Sequence, residues 1–172
     1  MAPTLPDRIG WAVAMLAAEN SDSLLEVGCG RGLAVALLAP RLTSGRILAL
    51  DRSAAAIAAA RARNSTWEAS GKARFRHSTL RDLPGGEGRF DKIFAINVNL
   101  FWTDPRAELP VVRKMLKKTG RLYLFYEPPA AAQRTAIAEK VAARFSESGL
   151  VIRKTVMQDL EKAQLCLVAV HG

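Results

Sequence analysis

The sequence predicts an α/β protein built on a doubly wound, mostly parallel sheet. Along its 172 residues, short runs of β-branched or aliphatic residues alternate with longer segments of helical period, as in a series of βαβ units. The composition is that of a globular protein, with 49% hydrophobic and 24% charged residues, and no apolar run approaches the roughly 20 residues of a membrane helix. We therefore expect one domain over residues 1–172.

Each element of the first half has a local signal. Apolar residues on one face predict an opening helix from about Leu5 to Glu19, which the polar segment 20–23 ends. Ser53 is expected to cap an alanine-rich helix that runs to about Arg63. The other predicted elements are strand one at 24–27, a helix at 33–42, strand two at 46–50 and strand three near 72–77.

The second half begins with turn signals. Residues 83–88, Leu-Pro-Gly-Gly-Glu-Gly, predict a surface loop, and strand four follows at 90–96. The pair Asp104-Pro105 indicates a helix start, although Pro110 would break an interior hydrogen bond. The regular helix is therefore expected to begin near Leu109.

Glycine is expected to end that helix. Lysines at 117 and 118 suit the negative end of the helix dipole, and Gly120 would reverse the chain into strand five at 121–126. The last predicted elements are an alanine-rich helix to about Glu147, which Gly149 ends, and two strands at 151–157 and 165–170. The total is seven strands and about six helices.

The net charge of +9 would suit a nucleic acid, an anionic membrane or an acidic substrate. However, basic residues are scattered, and the densest groups, Arg74-Arg76-Arg81 and residues 113–121, contain few aromatic residues that could stack on bases. Most of these basic residues are therefore expected to lie on ordinary solvent-exposed faces of the protein.

Cys29 and Cys166 are expected to be reduced thiols, because two cysteines form neither a disulfide framework nor a metal-ligand cluster. No metal site is predicted. Residues 1–7 lack the cationic and apolar regions of a secretory signal, so we expect a cytoplasmic protein that does not associate with membranes.

A glycine-rich segment, Glu26-Val-Gly-Cys-Gly-Arg-Gly32, joins strand one to a helix. Glycine at such a position lets the backbone turn tightly and approach a ligand closely. Asp51 ends strand two, 23 residues after Gly28, where a carboxylate can accept hydrogen bonds from ribose hydroxyls. Alternatively, the glycines form only a tight turn, and Asp51 only stabilises the N-terminus of the next helix.

The glycine spacing argues against a nicotinamide dehydrogenase. The dinucleotide pattern Gly-x-Gly-x-x-Gly requires glycine at position 33, which is Leu33, whereas the third glycine is Gly32. No obvious catalytic acid-base group is apparent either. This reading is the least favoured one.

The chain instead resembles the class I S-adenosylmethionine (SAM)-dependent methyltransferases, with a methyltransferase type 11/12-like domain. Their first motif, acid-x-Gly-x-Gly-x-Gly, is matched by Glu26, Gly28, Gly30 and Gly32. Further matches are Asp51 after strand two, Leu83-Pro84 before Phe90-Asp91, the Lys-Lys-Thr-Gly-Arg segment at 117–121, and Ser-Gly-Leu at 148–150. The resemblance covers nearly the whole chain.

The resemblance implies a Rossmann-like seven-stranded sheet with an antiparallel last strand and helices on both faces. It implies SAM as the cofactor, with the glycine loop holding the methionine part, Asp51 the ribose and the turn after strand three the adenine. The cofactor contacts expected from it are Glu26, Gly28, Cys29, Gly30, Gly32, Asp51, Arg52, Thr79, Leu80 and Asn97.

One departure from the family concerns the adenine. Where the family often has Gly-Asp-Ala, with an Asp that contacts the adenine amino group, this chain has Ser78-Thr79-Leu80. A hydroxyl could still accept that bond, and the backbone N–H of Leu80 could still reach the ring.

The methyl acceptor is expected beyond strands four and five, because ligands of open α/β sheets bind at the carboxyl ends of the strands. The candidate acceptor residues are Asn99, Phe101, Trp102 and Tyr126. Equally, Phe101 and Trp102 could only pack against the next helix. Glu127 or His77 could act as a base if the acceptor arrives protonated and either residue reaches it.

The predicted function is methyl transfer from SAM to a small molecule, because the chain leaves no room for a large recognition domain. The chain also lacks the Asn/Asp-Pro-Pro-Tyr motif that many nitrogen-directed methyltransferases of the resembled family carry after strand four, which argues against methylation of DNA amino groups. The alternatives are methylation of RNA or protein, and a non-catalytic SAM-binding protein that serves a partner. A monomer or a homodimer fits either function.

Overall fold

The computed structural model describes residues 6–83 and 86–172. Its strands form one seven-stranded sheet in the order β3-β2-β1-β4-β5-β7-β6. They are β1 (Ser23–Val27), β2 (Arg46–Asp51), β3 (Ala73–His77), β4 (Phe90–Ile96), β5 (Leu116–Tyr126), β6 (Leu150–Asp159) and β7 (Ala163–His171). Strands β1 to β5 pair in parallel, and β7 runs antiparallel to both of its neighbours. The predicted sheet is confirmed.

Helices cover both faces of this sheet. In the described residues they are α1 (Asp7–Leu16), α2 (Leu33–Leu38), α3 (Ala54–Arg63), α4 (Ser65–Ala69), α5 (Leu100–Thr103), α6 (Leu109–Met115) and α7 (Gln133–Phe145), with a 3-10 turn at Ala39–Arg41. Helices α1, α2 and α3 pack on one face, and α5, α6 and α7 on the other.

Strand β1 shows why the sequences of the central strands are nearly unbroken runs of apolar residues. Leu24 belongs to the core on one face and Leu25 to the core on the other, and both are completely buried. Successive side chains of a strand point to opposite faces, so a strand covered on both sides needs apolar residues at every position. This arrangement leaves the strand ends as the place for polar chemistry.

The predicted N-cap of α3 is confirmed. Ser53 has an extended backbone, and its Oγ accepts a hydrogen bond from the backbone N–H of Ala56 at 3.2 Å. The cap satisfies one of the donors that the first turn leaves free, and it starts the helix immediately after β2.

The expected end of α6 is wrong. The helix ends at Met115, and Gly120 lies within β5 without a left-handed backbone. Leu116 is fully buried and pairs with Phe90, and the pairing then shifts so that Lys92 faces Arg121. Burial of Leu116 in the core therefore extends the chain before the glycine is reached.

Some other boundaries also differ. Helix α1 ends at Leu16, before Glu19, because Ala17 adopts a left-handed conformation; the predicted start at Leu5 lies outside the described residues. The sequence did not predict α4 or α5. The predicted loop at 83–88 includes residues 84 and 85, which also lie outside the described residues. In the part of the chain that is described, no helix combines the length and hydropathy needed to cross a membrane.

Candidate functional site

A cavity of about 610 Å³ opens at the carboxyl ends of β1, β2 and β4, where the strand order reverses direction. Such a position is the usual ligand site of an open α/β sheet, and the volume lies in the range of small-molecule pockets. Its walls are the glycine loop after β1 and the segments that follow β2, β3 and β4. The lining residues include Gly28, Asp51, Arg52, Ser78, Thr79, Leu80, Asn97, Val98, Asn99 and Glu108.

The glycine loop needs glycine for two different reasons. Gly28 has φ of +74°, and a Cβ atom there would lie 2.6 Å from Cγ2 of Val98. Gly30 has φ of +52°, but a Cβ atom there would meet nothing within 4 Å. Both conformations disfavour other residues. Of these two glycines, only Gly28 is also required by internal packing, so the space at Gly30 remains open to a ligand.

Asp51 links the end of β2 to this loop. Its Oδ2 accepts a hydrogen bond from the backbone N–H of Gly30, and its Oδ1 accepts one from the backbone N–H of Ser53, both at 2.8 Å. A carboxylate oxygen has two lone pairs, so each oxygen retains acceptor capacity after these bonds. Asp51 thus both shapes the loop and presents acceptors to the cavity.

Glu26 lies beneath the same loop, with only 3% of the residue exposed. Burial, and secondarily the nearby charge of Asp51, raise the pKa of its carboxyl group to about 8. Its Oε2 atom has no hydrogen-bond partner among the described residues. A buried carboxylate without a partner is unfavourable, so this position favours a cationic or hydrogen-bond-donating ligand group.

Asn97 ties the ends of β4 and β5 together. It adopts a left-handed conformation, which asparagine tolerates better than most residues. Its backbone N–H donates to the carbonyl of Phe125 at 2.8 Å, and its Oδ1 accepts from the backbone N–H of Glu127 at 2.7 Å. The side-chain amide of Asn97 therefore holds the floor of the cavity in place.

The side chain of Glu127, the residue that donates to Asn97, forms two ion pairs and a hydrogen bond. Its carboxylate lies 3.5 Å from the guanidinium of Arg8 and 3.4 Å from the ammonium of Lys162, and it accepts a hydrogen bond from Gln164 at 2.9 Å. His77, the other suggested base, is exposed, and its Nε2 lies 3.1 Å from the carbonyl oxygen of Arg52. Neither side chain lines the cavity.

The cavity brings together part of the predicted cofactor set, namely Gly28, Asp51, Arg52, Thr79, Leu80 and Asn97. Glu26, Cys29, Gly30 and Gly32 belong to the same loop but lie outside the lining. Cys29 is buried, which raises the pKa of its thiol above the usual range. The turn after β3 is closed on itself, because the Thr79 hydroxyl donates to Asp82 and accepts from its backbone N–H.

Among the predicted acceptor residues, only Asn99 lines the cavity. Phe101 has an exposed fraction of 0%, and Tyr126 is also buried, with burial raising the pKa of its phenol. The indole N–H of Trp102 donates to Oδ1 of Asn99 at 3.3 Å, and Lys140 lies 5.3 Å from the centre of the indole ring. This placement favours the packing role for Phe101.

Several site residues could not be identified from sequence. Leu100 and Thr103 line the cavity from α5, a helix that was not predicted, and Glu108 lines it from the residue before α6. Asn64 is buried at the end of α3 and donates from Nδ2 to the carbonyl of Gly32 at 3.0 Å. No local pattern marks these residues, since each joins the site only through chain folding.

Comparison with known proteins agrees with this geometry. Residues 24–120, more than half of the chain, match the family model described as "Methyltransferase domain". The chain is 27% identical over 124 residues to the O-methyltransferase cnsE of Penicillium expansum; the match covers 72% of this chain and 45% of the relative, so it spans less than half of that protein's length.

Two solved structures share the fold. Magnesium protoporphyrin IX methyltransferase (ChlM) from Synechocystis PCC 6803, with bound SAH, aligns with a TM-score of 0.68 and 18% identity over 96% of this chain and 80% of its own. Geranyl diphosphate C-methyltransferase from Streptomyces coelicolor A3(2), in complex with Mg²⁺, geranyl diphosphate and S-adenosyl-L-homocysteine, aligns with a TM-score of 0.74 and 15% identity over 96% and 79%.

Proposed function

The chain belongs to the methyltransferase domain family, with the fold of class I SAM-dependent methyltransferases, and we propose that it transfers a methyl group from SAM to a small-molecule acceptor. We propose that residues 1–172 act as one catalytic domain. The observation that carries this proposal is the convergence of the glycine loop and Asp51 on a single cavity at the carboxyl ends of the central strands.

The chemistry of the cavity fits the proposed cofactor. The remaining acceptor capacity of Asp51 suits the two ribose hydroxyls, and the open space at Gly30 admits the chain that carries the sulfur. The unpaired Oε2 of Glu26 would be compensated by the α-ammonium group of SAM. Apolar side chains of Leu80 and Val98 in the lining suit the adenine ring.

When bound, SAM supplies a methyl carbon that its positively charged sulfur has already activated. The protein's contribution is then mainly orientation and the exclusion of water, which can provide much of the rate without a general acid. Asn97 orients the floor beneath the reacting atoms by fixing the ends of β4 and β5. If the acceptor needs a base, Glu127 is a candidate, because its backbone N–H bonds to Asn97; its carboxylate already pairs with Arg8 and Lys162.

The distribution of charge supports a small-molecule acceptor over a nucleic acid. Arg74 and Arg76 both pair with Glu87, and Arg81 pairs with Glu108, so one of the two densest basic groups is partly neutralised. The second group, at 113–121, includes the amino end of β5, whereas the cavity lies at the carboxyl ends of the strands. Both relatives of known structure named above are, by their names, enzymes of small molecules.

We further propose that the enzyme works in the cytoplasm, as a monomer or a homodimer. Both cysteines are free and buried, as expected in a reducing compartment.

The proposed function is tested by calorimetric titration of SAM and S-adenosylhomocysteine into the wild type and Asp51→Ala. We expect micromolar binding to the wild type and a loss of about one to two orders of magnitude in the variant, roughly 1.4 to 2.7 kcal/mol. The exposed Asp104, which pairs with Arg106 and does not line the cavity, provides the control variant Asp104→Ala. If neither ligand binds the wild type, the proposal is wrong.

The two kinds of acceptor differ in the expected salt dependence of their binding. The affinity of a nucleic-acid acceptor would fall steeply with salt concentration, because binding releases counterions, whereas that of a neutral small molecule would not. Methylation of total RNA from cell extract with radiolabelled SAM, at low and high salt, distinguishes the two acceptors.

A further inference from the structure

Glu108 places a buried carboxylate on the wall of the cavity. Its side chain is only 6% exposed, and Oε1 accepts a hydrogen bond from the guanidinium of Arg81 at 3.1 Å. The second oxygen, Oε2, is buried and has no hydrogen-bond partner in residues 6–83 and 86–172. An ionised carboxylate can only accept hydrogen bonds, so this oxygen requires a donor. Leaving it unpaired is costly, and a bound ligand can supply the donor.

The position of Glu108 indicates which part of a ligand it faces. Arg81 joins it to the turn after β3, and the same wall contains Thr79 and Leu80. The cavity's other lining carboxylate, Asp51, lies at the end of β2 and serves the glycine loop. A nucleoside with its ribose at Asp51 therefore has its base near the turn after β3 and Glu108.

The hydroxyl groups of this turn are engaged elsewhere. Thr79 donates to Asp82 and accepts from its backbone, and Ser78 donates to the carbonyl of Thr79 at 2.9 Å. Residues 78–80 also contain no carboxylate. Among the described residues that line the cavity, Glu108 is thus the charged acceptor for an amino group at this end.

We propose that Glu108 accepts a hydrogen bond from the 6-amino group of the adenine of SAM and so selects a 6-aminopurine. This role rests on the proposed function, because it requires SAM in the cavity. Glu108 acts in cofactor specificity and takes no part in the transfer of the methyl group. The carboxylate reaches the cavity from the residue before α6, far in sequence from the turn after β3.

The test compares two ligands, S-adenosylhomocysteine and its 6-deamino analogue, in which hydrogen replaces the amino group. Calorimetry on the wild type should show the amino ligand binding about 10- to 100-fold more tightly, as expected for a hydrogen bond to a charged group. In Glu108→Leu the ratio should fall to near one. In Glu108→Gln, which keeps a neutral acceptor, it should fall to a few-fold.

Glu87→Gln is the matched control, because Glu87 is a similarly buried carboxylate that pairs with Arg74 and Arg76 and does not line the cavity. It should keep the wild-type ratio. If the wild type binds both ligands equally, or if the ratio is the same in all variants, Glu108 does not read the amino group while the proposed function stands. If the wild type binds neither ligand, both proposals are overturned. If Glu108→Leu fails to fold, Glu108→Gln carries the test, and a wild-type ratio in that variant overturns the proposal.

Discussion

The backbone N–H of Gly30 donates a hydrogen bond to Oδ2 of Asp51 at 2.8 Å. This bond joins the loop after β1 to the end of β2, so the two most informative features of the sequence form one structural unit. Asp51 also accepts a hydrogen bond from the backbone N–H of Ser53 before α3, and its carboxylate keeps acceptor capacity toward the cavity.

Gly28 and Gly30 should respond differently to alanine. Gly28→Ala forces a Cβ atom to within 2.6 Å of Val98, so we expect a loss of about 1–3 kcal/mol of stability from strain and overpacking. Gly30→Ala meets no neighbour and should cost only about 1–2 kcal/mol, while SAM affinity falls at least tenfold because the methyl group occupies the approach of the cofactor. Urea denaturation and calorimetry measure the two effects. Unchanged affinity in Gly30→Ala would place the cofactor elsewhere.

Glu26 should make the ligand-free protein less stable as the pH rises. Below pH 4.5 both the folded and the unfolded states hold the proton; between 4.5 and about 8 the folded state retains a proton that the unfolded state has lost. The free energy of unfolding therefore decreases through this range and levels off above pH 8. Since one pKa unit corresponds to about 1.4 kcal/mol, the total is on the order of a few kcal/mol.

Glu26→Gln, which does not titrate, isolates this effect. The variant should gain stability relative to the wild type as the pH rises from 5 to 8, measured by urea denaturation at each pH. Parallel curves for the two proteins across that range would mean that the buried carboxyl group keeps an ordinary pKa.

The ion pair between Lys92 and Asp22 should contribute far more to the free energy of unfolding than an exposed pair does. The ammonium of Lys92 lies 2.6 Å from the carboxylate of Asp22 and also donates to the carbonyl of Ala17, and both side chains of the pair are largely buried. Lys92→Met leaves a buried carboxylate without its cation, so we expect a loss of about 3 kcal/mol. Arg106→Met breaks an exposed pair and should produce no measurable change in the same denaturation experiment.

Phe101 should behave as a core residue. Its complete burial predicts that Phe101→Ala costs about 3–5 kcal/mol of unfolding free energy. Leu100→Ala, at a neighbouring half-buried position on the cavity wall, should cost clearly less. A small effect at Phe101, comparable to that at Leu100, would indicate that its ring does not contribute to the packing of α5.

Sequence pattern predicted most of the sheet because its signals are local. Strand β4 begins and ends at the predicted residues, and β2 differs by one residue, since runs of apolar residues bounded by turns are typical of strands buried on both faces. The glycine spacing and Asp51 depend equally on local chain geometry, and they identified the site's principal loop. Whether each predicted residue contacts the cofactor remains a prediction.

Other features depend on contacts between distant segments. Gly120 has the sequence context of a helix end, yet burial of Leu116 against the core draws the chain into β5 first. Helices α4 and α5, of five and four residues, are too short to show a clear period. Glu108 joins the cavity only because α6 packs beside the turn after β3.

The sequence by itself determined the order of the strands along the chain, the glycine loop and the carboxylate at position 51, because these follow from hydrophobic period and backbone freedom within a few residues. Only the tertiary structure decided which side chains line the cavity, which carboxylates lack partners, and that Phe101 packs inside. Those properties depend on burial and on hydrogen-bond partners that are 20 to 40 residues away in the chain, as with Gly30 and Asp51 or Arg81 and Glu108.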